Sequence, residues 1–126
     1  MYRGTIIEES LRDKSVLDDI SIVKTEVEEV TAGFNTPWLK QWTLDVVEIA
    51  DGEIDAFVSR LQDAIETEHT SWYADLKNDT DHYIIFPQRV FHVARSQKAQ
   101  YHDVVVYGVS LGIPKHQLTP LLSDAP

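Results

Sequence analysis

Cysteine is absent from the 126 residues, which removes disulfides, thiolate nucleophiles and cysteine-ligated zinc from consideration. Basic residues are scarce: 11 Lys and Arg stand against 21 Asp and Glu, for a net charge of −10. That balance argues against nucleic acid and against an anionic membrane face as partners, because both require clustered positive charge. Apolar runs are a few residues long, far short of the roughly 20 that a bilayer-crossing helix needs. The first residues enter strand-like sequence with no basic and apolar leader, so a cytoplasmic location is expected. Signature motifs are missing too. There is no glycine-rich phosphate loop, no GxSxG elbow and no HExxH pair. The oxygen-rich stretch from Asp75 to Asp81 lacks the glycine and closing glutamate of a calcium loop. No metal and no cofactor is expected.

What is present describes an ordinary folded chain. Hydrophobic residues at 43% and charged residues at 25% predict one core and a single domain over 1–126, with 119–126 as a frayed tail. The charge is uneven: residues 1–81 carry 19 acids and 7 basic residues, whereas 82–126 carry 2 acids, 4 basic residues and four of the five histidines. The later part is therefore the face on which a small anionic ligand is sought.

Read in order, the chain alternates strands with two helices. A strand over 4–11 precedes a turn at Arg12 to Ser15. A second strand over 20–30 changes its inward face partway, which predicts a β-bulge near Val23. Thr36-Pro37-Trp38 reads as a cap and a short turn, and Trp42, Leu44 and Val46 alternate in a third strand. Ile54, Phe57, Val58, Leu61, Ala64 and Ile65 fall on one helical stripe behind Asp51 as N-cap. Three strands follow, over 72–77, 82–86 and 90–94. Ser96 then caps a second helix with the stripe Tyr101, Val104, Val105, Gly108 and Leu111, stopped by Gly112 and Pro114. The order βββαβββα predicts an α+β fold: a mostly antiparallel sheet of five to six strands with both helices on one face. The alternative is a ferredoxin-like arrangement with the terminal strands at the edges.

The chain's aromatic and ionisable residues concentrate between Trp72 and Val93. Strand alternation places Trp72, Ala74 and Leu76 on one side and Tyr73, Asp75 and Lys77 on the other. The first set, with Ile84 and Phe86, reads as core. The second set can meet His82 and Tyr83, which makes Tyr73, Asp75, Lys77, His82 and Tyr83 the candidate ligand-binding group, extended by Trp38 and Arg95. A carboxylate beside a histidine sets its tautomer and suits proton transfer, although the same pairing is commoner as a plain cross-strand contact. No residue is assigned as catalytic on this pattern alone. Arg95, Ser96 and Lys98 at the start of the second helix form a further place where an anion could bind.

Four stretches carry a resemblance. They are Gly4-Thr5-Ile6-Ile7-Glu8-Glu9-Ser10-Leu11, Thr36-Pro37-Trp38 with Gln41-Trp42-Thr43, Trp72-Tyr73-Ala74-Asp75 with Lys77-Asn78-Asp79 and His82-Tyr83-Ile84-Ile85-Phe86, and Tyr107-Gly108-Val109-Ser110-Leu111-Gly112-Ile113-Pro114. Together they resemble a family of small prokaryotic single-domain proteins of unknown function. The likeness spans the chain and implies no activity, cofactor or site residue. Two functions are expected from the residues themselves. The first is a noncatalytic binding or interaction domain, self-associating as a homodimer and using the open sheet face and the Trp38 loop. The second is a small acid-base enzyme using His82 and Asp75, with Lys77 or Arg89 anchoring an anion.

Overall fold

Six strands form one sheet in the order β2-β3-β1-β4-β5-β6, and each adjacent pair is antiparallel. They are β1 (Tyr2–Ile7), β2 (Ser21–Glu29), β3 (Gln41–Ile49), β4 (Ala74–Lys77), β5 (Asp81–Ile85) and β6 (Val90–Ala94). Three helices accompany them: α1 (Ile54–Ala64), α2 (Lys98–Ser110) and the single turn α3 (Lys115–Leu118). This computed structural model describes residues 1–18, 20–30, 39–67, 72–118 and 121. Among them no helix is long and apolar enough to cross a membrane. The α+β class and the antiparallel sheet expected from the sequence are both present.

The bulge is also where the sequence puts it: the β2–β3 register shifts between Ile22 and Lys24, leaving Val23 as the extra residue. Two caps differ from expectation. Asp51 lies in a one-turn 3-10 segment before α1 and takes the N-terminal ammonium on its carboxylate, while Glu53 holds the N-cap position without a side-chain bond. Gln97, not Ser96, precedes α2, again without a side-chain cap.

The larger correction concerns the helices, which cover opposite faces. α1 buries Phe57, Leu61 and Ala64 with Tyr2, Ile6, Val47, Leu76, Tyr83 and Ile85. α2 buries Tyr101, Val104 and Val105 with Ile84, Phe86 and Val93. β5 thus has apolar side chains on both sides, because successive residues of a strand point to opposite faces. The ferredoxin-like alternative fails at the N-terminus. β3 and β4 run parallel with β1 between them and α1 as the crossover, so β1 is an inner strand.

Gly112 closes α2 at φ 90°, the left-handed conformation that glycine adopts without strain. The chain then returns through α3, which sinks Leu118 into the α2 core. Leu121 is buried in the same core; the rest of 119–126 lies outside the described residues. So do Trp38 and the whole connection over 31–38.

One polar group interrupts the α1 side. Asp45 is 1% exposed; its Oδ1 accepts from the Thr25 hydroxyl at 2.7 Å, and its Oδ2 has no donor among the described residues. The neighbouring Glu8 supplies one when protonated. Its carboxyl is held above the ordinary 4.5, first by the hydrogen bond to Asp45, then by burial and by repulsion from the Asp45 charge. A raised carboxyl pKa means that the folded protein holds this proton more tightly than the unfolded chain. The contribution is complete below the unfolded value and is lost as pH rises through the folded one. Glu8→Gln keeps an N–H donor at every pH and removes the like charge. Calorimetry should therefore show a gain of about 1 kcal/mol at neutral pH, a few degrees in Tm, that disappears near pH 4.

Candidate functional site

α2 covers only the β5–β6 half of its face, where the second core lies. Among the described residues, neither α1 nor α2 covers the β1–β3 half of that face. There Thr5 and Ile7 of β1 and Trp42 and Leu44 of β3 form the floor of a groove of about 280 Å³, whose other walls are Trp72, Tyr73, Asp75 and Gln117. The register explains the grouping. Thr5 lies opposite Asp75, and Ile7 opposite Leu44, so one face collects them from three strands distant in sequence.

The walls are braced from behind. Trp72 donates its indole N–H to Glu66 Oε1 at 2.7 Å, and its ring lies 5.4 Å from that of Trp42 at an interplanar angle of 58°. The Tyr73 hydroxyl donates to the Gln117 carbonyl, which ties α3 to the groove. The lining is mostly apolar and aromatic, and Asp75 is its one charged side chain among the described residues.

Asp75 is the exposed end of a buried chain of hydrogen bonds. Its Oδ2 lies 2.8 Å from His82 Nε2, and His82 Nδ1 lies 2.9 Å from the Tyr101 hydroxyl. His82 is 0% exposed and Asp75 25%. Both ring nitrogens are engaged, which fixes the imidazole between the carboxylate and the Tyr101 hydroxyl. Tyr101 looked like an ordinary member of the α2 stripe in the sequence; its hydroxyl is what orients the histidine.

The candidate residues divide as follows. Tyr73, Asp75 and His82 come together as expected. Lys77 shares their face and pairs across the strands with His82 but does not line the groove. Tyr83 faces the other way, a consequence of strand alternation. Its hydroxyl donates to Asp55 of α1 at 3.0 Å, its ring stacks on His92 at 4.2 Å, and its pKa is pushed up to about 12 by burial and then by Asp55. Arg95 braces the β4–β5 turn, donating to the Asn78 carbonyl at 2.8 Å. Arg89 lies over Phe91 at 4.2 Å. The groove residues outside the sequence-based candidates are Thr5, Ile7, Trp42, Leu44, Trp72 and Gln117: the β1 and β3 residues join the site only through pairing between distant segments, Trp72 was expected in the core, and Gln117 arrives on α3.

A second, wider depression of about 470 Å³ lies on the α1 side, lined by Arg12, Arg60, Asp13, Asp18 and Asp63 among others. Two basic and three acidic residues are mixed along it, so it presents no patch of one sign. Among the described residues no three His, Asp or Glu side chains are placed to hold a metal ion. Compared with family models, with curated proteins and with solved structures, the chain matches none.

Proposed function

We propose that this chain is a noncatalytic binding domain that takes a small organic molecule in the groove between β1, β3 and β4. One observation carries the reading: a groove of about 280 Å³ whose described lining is rich in aromatic rings and holds a single charged group. Ligand sites combine an apolar lining with a few fixed polar groups in this way. Asp75 supplies orientation, and the aromatic rings supply contact area at little conformational cost.

Two tryptophans in the walls make binding directly observable. A panel of small amines, acids, alcohols and aromatic fragments, titrated while intrinsic fluorescence is followed, should contain members that change the emission saturably. Leu44→Trp fills the groove and should abolish that response without lowering the thermal midpoint. No saturable response to any fragment would end the proposal.

Acid-base catalysis is the second reading, favoured by the 2.8 Å contact between Asp75 and His82. The imidazole is completely buried and both of its nitrogens are engaged. Any proton transfer to a bound molecule would therefore pass through Asp75, with His82 as a positioning residue.

A further inference from the structure

We infer that the groove selects an organic ammonium ion, a small free compound carrying a substituted or quaternary nitrogen. The inference rests on the binding reading above and adds the chemical class of the ligand. Three features on the same groove point to it. Asp75 presents a carboxylate 25% exposed, held at the wall by its 2.8 Å contact with the buried His82. Trp42, Trp72 and Tyr73 line the same groove, and the negative faces of aromatic rings attract a cation and tolerate its methyl groups. No Lys or Arg is among the described residues that line the groove, so an anion finds no partner there.

The overall charge of −10 acts in the same direction, raising the local concentration of cations around the molecule. An isolated ammonium would stay in water. The combination of one carboxylate with aromatic surface favours a nitrogen that carries carbon on several sides.

Choline and neohexanol test this directly, because they share a shape and differ in the nitrogen that gives choline its charge. Fluorescence and calorimetric titrations should show choline binding at least about tenfold more tightly than the alcohol, with the anion tert-butylacetate not binding. Asp75→Asn still accepts from His82, so the fold is kept; choline affinity should fall about tenfold toward that of neohexanol, which should bind as before. If choline and neohexanol bind the wild-type protein equally, the groove remains a binding site and the ammonium inference is wrong. If none of these compounds binds while a member of the fragment panel does, the ammonium inference alone is wrong; if the panel is silent too, the groove reading falls with it. An acetylated trimethyl-lysine amide that binds more tightly than choline would overturn the assignment to a free compound. The wild-type titrations decide between these outcomes even if the Asp75 variant fails to fold.

Discussion

Gly4→Ala should unfold the protein or lower its urea midpoint by more than any other single methyl addition. Gly4 sits on β1 opposite Leu76 of β4, and a Cβ there would stand 1.8 Å from the Asp75 carbonyl oxygen and 2.8 Å from its carbon. These are backbone atoms in a hydrogen-bonded ladder, so no rotamer change relieves the overlap. β1 and β4 would have to separate at the middle of the sheet, and the α1 core packed on them would open. Overpacking of a core costs about 1–3 kcal/mol where side chains can shift; a rigid backbone contact should reach or exceed the top of that range. Against a total stability of roughly 5–15 kcal/mol, this threatens folding itself. The check is soluble yield together with the urea midpoint. An unchanged midpoint would mean that the two strands do not approach so closely.

The second large effect is at His82. His82→Ala deletes a side chain with no exposure, leaves the Tyr101 hydroxyl without its acceptor and takes from Asp75 its buried donor. Cavity and lost hydrogen bonds together should cost about 3–5 kcal/mol. Tyr101→Phe separates the two contributions. It removes only the donor to Nδ1, at about 1–3 kcal/mol, and leaves the carboxylate in place. Urea unfolding of both variants should rank wild type above Tyr101→Phe above His82→Ala. Ligand binding should survive the tyrosine change and weaken with the histidine change. A histidine that served chemistry alone would leave the unfolding midpoint where it was, and that result would contradict the structural role described.

Much of this could be read from local pattern. The bulge at Val23, the stripe of α1 and the alternation of Ala74 and Leu76 against Tyr73 and Asp75 all depend on residues a few positions apart, and all appear in the structure. The face of α2 did not follow from its stripe, because a stripe says that a helix packs and not on which side. The relevant signal lay in β5: His82, Tyr83, Ile84, Ile85 and Phe86 are consecutive and all buried. A short, nearly continuous apolar run, here Tyr83 to Phe86, marks a strand covered twice. The pairing of β1 with both β3 and β4 had no local trace, so Thr5 and Ile7 could not be joined to Asp75 from the sequence. Asp75 and His82 were recognised as partners because they are seven residues apart across one tight turn. Tyr101, on the other side of the imidazole, was hidden among apolar neighbours.

Among the described residues β2 contributes least to either core: all nine of its residues are exposed there, and β3 is the one strand it pairs with. A strand bare on both faces and open along one side is a template on which identical chains can stack into fibrils. Here the bulge breaks the even spacing such a stack requires, and Lys24, Glu26, Glu28 and Glu29 place four charges within six residues. In a parallel, in-register array each of these would meet its own copy. The least protected strand therefore carries its own barrier to ordered aggregation, made from the residues that contribute nothing to packing.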